Sequence, residues 1–181
     1  MSKSSFENRI FRAAKLDSNL YEEVEADKGA MGQAMAIVVL SSIASGIGLY
    51  KIDGVSGIIL GAIASLIGWY IWAYLTYFIG TKFLPEPQTH ADLGELLRTI
   101  GFSSSPGLLR VFYFIPNLGL LIYLISSLWM IVAMIIAVRQ ALDYKSTLRA
   151  VGVCVIGYII QIFVLVLIFS IFWGALPDAP A

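Results

Sequence analysis

The sequence predicts an all-α integral membrane protein with five transmembrane helices. Its N-terminus is cytoplasmic, its C-terminus external, its third span kinked, and a short amphipathic helix precedes the spans. Three observations carry this. Hydrophobic residues make up 59% of the chain and charged residues 13%, against about 45–50% and roughly 25% in soluble domains. The apolar residues fall in blocks of about 20, the length at which a helix crosses about 30 Å of hydrocarbon. The basic residues, finally, are shared unequally between the segments that join those blocks. The 181 residues suffice for one bilayer domain: a cytoplasmic segment over 1–28, a five-helix domain over 29–173 and a short external tail over 174–181.

Residues 5 to 28 are polar and helix-prone. At 100° per residue Phe6, Ile10, Ala13, Leu20, Tyr21 and Val24 share one side, with Arg9, Arg12 and Lys15 outside that stripe. Asp17-Ser18-Asn19 interrupts the helix, and Asn19 with Glu22 offers a capping pair for a second piece. Two readings are balanced: an interfacial helix drawn to anionic lipid by its basic residues, or a solvated helix of marginal stability. The first apolar block begins near Ala30 behind this mixed-charge segment, which fits an uncleaved spanning helix and not a signal peptide.

Span one covers about Ala30 to Tyr50 and span two about Val55 to Phe78, joined by the turn Lys51-Ile52-Asp53-Gly54. In span two Gly57, Gly61 and Ser65 recur every four residues and Gly68 continues the stripe, a small-residue face that lets another helix backbone come close in lipid. Internal packing is the expected use, and self-association is the alternative. Thr81 to Glu95 reads as an exposed loop holding the lone His90. Spans four, Leu118 to Val138, and five, about Leu148 to Trp173, are long and uninterrupted. Gln33 and Gln161, both in apolar stretches, are read as hydrogen-bonding glue between helices.

Between the loop and span four lies a weak candidate, Leu96 to Arg110, whose centre is Gly101-Phe102-Ser103-Ser104-Ser105-Pro106-Gly107. Whether it crosses is decided by the positive-inside rule. If it does, ten of the 12 basic residues lie on the cytoplasmic side and only Lys51 and Arg110 outside. If it does not, Arg139, Lys145 and Arg149 move out, Arg110 moves in, and the ratio falls to eight against four. Five spans fit better. Pro106 lacks an N–H and opposes the carbonyl of Phe102, so the segment should kink or break. Arg98 and Arg110 flank the break about 18 Å apart on a helix. They either snorkel from its two ends, or flank a polar cavity lined by Ser104, its neighbours and freed backbone groups. Arg98, Gly101, Ser104, Pro106 and Arg110 are therefore the candidate functional residues.

Catalytic chemistry finds little material. The 12 acids fall in the N-terminal segment, the loops and the tail, so neither a paired-aspartate hydrolase nor a carboxylate proton relay has its parts. Ser104 has no histidine base within a plausible motif. No phosphate loop, dinucleotide fingerprint or metal-binding helix pair is present. Cys154 is the single cysteine, so neither an intramolecular disulfide nor a cysteine metal cluster forms. The formal net charge is zero and gives no electrostatic footprint for nucleic acid. No enzyme and no cofactor are expected.

Three stretches resemble the Ypt-interacting protein (Yip) family, especially its compact prokaryotic members: Asp27 through Ala34, Glu95 through Leu109, and Trp129 through Leu142. The likeness runs from about Arg9 to Trp173. It implies a five-span bundle with a cytoplasmic N-terminus in a prokaryotic cell membrane, and a trafficking-like or membrane-organising role. The chain lacks the longer cytoplasmic region and the Asp-Leu-Tyr-Gly-Pro motif of eukaryotic members, so their Rab-type GTPase partner does not carry over. The expected function is that of a non-catalytic membrane protein acting through lipid contacts, other membrane proteins or self-association. A small transporter or channel built on the broken third span is the alternative.

Overall fold

A computed structural model describes residues 4–48 and 50–174, and every regular element among them is helical. Lys3 and the tail beyond Gly174 lie outside the described residues. The N-terminal segment forms two short helices, α1 (Phe6–Ala14) and α2 (Ser18–Ala26). Ser5 caps α1 by accepting from the Asn8 amide at 3.3 Å. Leu16, at φ 62°, then turns the chain, and Asp17 caps α2 by accepting from the Asn19 amide at 3.0 Å. The expected Asn19–Glu22 pair is thus displaced: α2 begins one residue before Asn19, and the shorter Asp17 carboxylate takes the cap.

The apolar side of α1 and α2 is spent inside the molecule. Ala13, Leu20, Tyr21 and Val24 are fully buried together with Ala30, Ala34, Ile37, Phe102 and Ala137. Withdrawing a Leu, Val or Tyr from water contributes about 1.5–3 kcal/mol each, which is ample to dock a helix too short to stand alone. The apolar stripe that both sequence readings left open to lipid or water is thus occupied by other helices, and Arg9 is turned inward with only 2% of its surface exposed.

The long helices follow the apolar blocks. A 3₁₀ turn over Lys28–Ala30 leads into α3 (Met31–Gly48). Helix α4 (Tyr50–Phe78) is interrupted at Gly54, where φ 63° and ψ −165° suit only glycine, and it ends in a π-helical turn, Ile79–Phe83. Helix α5 (Leu93–Ser103) starts inside the expected loop, because Asp92 and Glu95 form a reciprocal capping box. A 3₁₀ segment over Ser105–Phe114 follows it, then α6 (Gly119–Ala141) and α7 (Thr147–Gly174). Four stretches are long and apolar enough to cross a membrane: Lys28–Ile47, Gly54–Phe83, Gly119–Ala141 and Thr147–Val164. The α5 segment is not among them, since it is divided between two helix types.

Small residues sit where helices touch. Ala34, Ala133, Ala137, Ala141 and Ala150 have no exposed surface, whereas Leu60, Leu120, Leu128 and Phe163 are each about two-thirds exposed. That inversion is the signature of a bundle whose solvent is hydrocarbon: apolar bulk meets lipid and small side chains let backbones close in.

Polar ties gather at one end. Tyr144 donates to the carbonyls of Gly80 (2.9 Å) and Leu84 (2.7 Å). The Glu86 carboxylate accepts from the Lys145 amide at 2.9 Å and lies 3.5 Å from Arg149 Nε. Gln140 donates to Glu22 at 2.7 Å. The N-terminal helices, the loop after α4, the start of α5 and the α6–α7 turn therefore share one end of the bundle.

Candidate functional site

The segment from Leu93 to Phe114 is packed between α3, α4 and α6, and its stretch over 96–107 is the most buried run among the described residues. Leu96 to Gly107 are all buried except Ser104, which is half-buried. Gly101 makes this passage fit, since a Cβ there would stand 2.7 Å from the Ala34 Cβ and 3.1 Å from the Ala34 backbone. Beyond the break, a Cβ on Gly107 would run into the Ser41 hydroxyl and lie 2.9 Å from Met130 Sδ. The two glycines bracket the crossing of this segment over α3.

At Ser104 the α-helix gives way to 3₁₀ geometry. Pro106 removes the amide that would have bonded Phe102, and the Ser105 hydroxyl donates to that carbonyl instead, at 2.7 Å. Ser103 does the same for Ile100 at 2.7 Å. Water is absent from the hydrocarbon region, so these local donors matter. A buried carbonyl left unpaired costs about 1–3 kcal/mol. Ser105→Ala should therefore lower thermal stability in detergent by about that amount. Pro106→Ala should not, and in the double variant the amide restored by Pro106→Ala should cancel the loss. Equal losses in both single variants, without suppression in the double, would show that Phe102 draws nothing from either donor.

The two arginines do unlike things. Arg98 is buried, at 4% exposure, and donates through Nε to the carbonyls of Val24 (2.9 Å) and Glu25 (3.0 Å), with a further bond from Nη2 to Glu25. Those are the terminal carbonyls of α2, where a cation is favoured by both the unpaired acceptors and the helix dipole. Arg98 thus ties α5 to the N-terminal pair. Arg110 is half-buried; Nη2 donates to Ser127 Oγ at 2.9 Å and the guanidinium lies 4.6 Å from the Tyr123 ring centre.

Arg110 and Ser104 line a cleft of about 770 Å³ enclosed by α3, α4, α6, α7 and this segment. Its walls are mainly apolar, with Ser41, Ser65, Trp72, Tyr158 and Gln161 among the polar contributors. Gly68 also lines it, and a Cβ there would meet nothing within 4 Å. The glycine stripe of span two is therefore not one continuous close contact: Gly61 faces only the Ser42 hydroxyl, 3.6 Å from a Cβ position. The tighter approach of that helix pair is at Gly46, 2.9 Å from Ile58. Gly57 is half-buried. Gln33 accepts from Arg9 Nη1 at 2.9 Å, joining α3 to the N-terminal pair, while Gln161 is a wall of the cleft. Pro106 lies buried between the two arginines.

The Yip1 domain family matches residues 24–169, most of the chain. This chain belongs to that family. Neither the curated proteins nor the solved structures contain a match to it. As a Yip1 protein with several long apolar helices it is an integral, multi-pass membrane protein in contact with the bilayer. Sequence reasoning missed Trp72 and Gly107 within the matched Yip1 domain, and Arg9 ahead of it, as organising residues. Arg9 and Trp72 carry no periodic signal; the Asp92-to-Glu95 spacing ahead of an apolar run, read above as part of the loop, is the signal that could have placed the start of α5.

At the polar end, Glu22, Glu25, Glu95, Arg139, Asp143 and Lys145 border a second recess. Burial, then repulsion from Glu95, Asp143 and Glu22, raises the Glu25 carboxyl to about 7, against a weaker opposing pull from Arg98. Glu25 thus holds its proton more tightly folded than unfolded, so it costs nothing below about pH 4.5 and reduces stability as the pH climbs towards 7. Glu25→Gln should raise the melting temperature at about pH 8 and leave it unchanged at about pH 4. The same rise at both would assign the effect to something other than ionisation.

Proposed function

We propose that this Yip1 protein is a non-catalytic five-span membrane protein, N-terminus cytoplasmic, that acts through contacts with other membrane components. The observation that carries the topology is the gathering of α2, the start of α5 and the α6–α7 turn at one end. Helix α6 begins at the other end, so the chain from Leu93 to Leu118 has to travel the length of the bundle. Eleven α-helical residues and ten 3₁₀ residues extend about 16 Å and about 20 Å respectively, together enough for about 30 Å of hydrocarbon. The same arrangement puts Arg9, Arg12, Lys28, Lys82, Arg98, Arg139, Lys145 and Arg149 near one face, as the positive-inside rule asks of a cytoplasmic face.

Contact through that face supports an organising or assembly role, since α1 and α2 are fastened there as a rigid cap and Phe11 stays 60% exposed upon it. A reporter inserted between Gln140 and Lys145 should read as cytoplasmic and one fused after Ala181 as external; the opposite pattern would end the five-span topology. Pull-down in mild detergent, with and without residues 1–28, tests whether the cap recruits partners. The cleft beside the helix break favours a second reading, a small transporter or channel. Solute flux in proteoliposomes that is lost on replacing Arg110 would decide for it.

A further inference from the structure

The central cleft combines two properties that an empty apolar gap does not need. Its walls are dominated by side chains such as Met130, Met134, Ile135 and Val155, yet two wall residues keep a buried donor with no partner: Trp72 Nε1 and Arg110 Nε. Trp72 is 7% exposed. Indole and guanidinium nitrogens only donate, so whatever satisfies them must bring acceptor atoms. Arg110 asks for more than an acceptor. Its contacts are the neutral Ser127 hydroxyl and the Tyr123 ring, and no carboxylate among the described residues pairs with it, so a permanent cation stands within the bundle without a counter-charge.

We propose that the cleft is a binding site for a single-chain amphiphile with an anionic oxygen headgroup. The headgroup accepts from Arg110, the acyl chain lies along the methionine and aliphatic wall, and Trp72 supplies a second donor for an ester or hydroxyl oxygen. Size agrees: about 770 Å³ falls within the roughly 300–1,000 Å³ typical of sites for small molecules. The space is a cleft and not a sealed void, so a chain can enter without the helices separating. Methionine walls suit an occupant whose chain varies in length, because the unbranched thioether adapts its shape. The site depends on the cleft's own residues and not on which end of the bundle faces the cytoplasm.

The test is equilibrium binding of radiolabelled palmitate to the full chain in a non-ionic detergent. Saturable binding is expected, displaced by unlabelled palmitate and by palmitoyl lysophosphatidate, and not by methyl palmitate or inorganic phosphate. Carboxylate and phosphate heads share the recognised chemistry, and the two competitors separate them from a neutral chain and from a free anion. Arg110→Gln should weaken palmitate by at least about tenfold, with Arg110→Lys recovering part of the loss. Gly68→Leu, which projects into open space, should block binding with the melting temperature kept. Non-saturable uptake, displacement by methyl palmitate as effective as by palmitate, displacement by inorganic phosphate, or wild-type affinity in Arg110→Gln would each overturn the proposal. If Gly68→Leu unfolds, the arginine pair and the competitors still decide it.

Discussion

Arg9→Ala should undock the N-terminal helices and destabilise the protein by about 3 kcal/mol. Arg9 Nε, Nη1 and Nη2 donate at 2.9 Å to Glu23, Gln33 and Asp27 respectively, so a single planar fork joins α2, the turn before α3, and α3 itself. Removing one partner of a buried ion pair costs about 3–5 kcal/mol, largely because the other charge is left behind. The low end applies here, since the Asp27 and Glu23 side chains keep 16% and 29% exposure and can regain some water. Arg12 cannot substitute. It already bonds Asp17 Oδ2 at 2.7 Å and Glu23 Oε2 at 2.5 Å.

The charges of this network also set its response to acid. The hydrogen bond from Arg12 holds the Asp17 carboxyl below its usual range. Burial pushes Glu23 up, but bonds from Arg12, Arg9 and Ser4 outweigh it and leave that carboxyl lowered. Stability from these groups is present above the ordinary carboxylate pKa and lost as the pH falls through the lowered values. Thermal melts in detergent and limited proteolysis between Lys15 and Lys28 provide the readout. A variant with unchanged melting temperature and unchanged protease resistance would show that the fork does not hold the cap.

Gly101→Ala should cost about 1–3 kcal/mol, the range for overpacking a well-filled interior, even though alanine is the better helix former by about 1 kcal/mol. Packing decides the sign. The added Cβ would sit 2.7 Å from the Ala34 Cβ and 3.1 Å from the Ala34 Cα and carbonyl oxygen, and two of those atoms belong to a helix backbone that cannot move aside alone. Trimming the opposing residue in Ala34→Gly should relieve the clash, so a cycle of the two substitutions measures it directly. Additive losses in that cycle would mean the two residues are not in contact. Gly68→Ala is the matched control, a glycine with open space around its Cβ position, and should be neutral or slightly stabilising.

The sequence by itself determined the bilayer as solvent, the four long helices to within a few residues, and the family. Blocks of about 20 apolar residues leave a chain little alternative in hydrocarbon, where every backbone group must bond within its own helix. It also marked Pro106 as a place where a helical bond is missing, because an absent amide is a local covalent fact; the change from α to 3₁₀ geometry falls at Ser104, and Ser105 stands close enough along the chain to donate to the Phe102 carbonyl.

What the tertiary structure decided is which residues face one another. Span two offered Gly57, Gly61 and Gly68 as a packing stripe, and the structure adds close approaches at Gly46, Gly80, Gly101 and Gly107 that no spacing announced. Glycine spacing marks a smooth face without saying whether a partner lies against it. The N-terminal stripe was equally legible, but lipid, water and another helix all accept an apolar face. The choice fell to Arg9 and Arg98, whose partners lie 14 to 74 residues away in the chain. Long-range pairing of that kind leaves no period in the sequence, and the cleft that brings Trp72 and Arg110 to one space leaves none either.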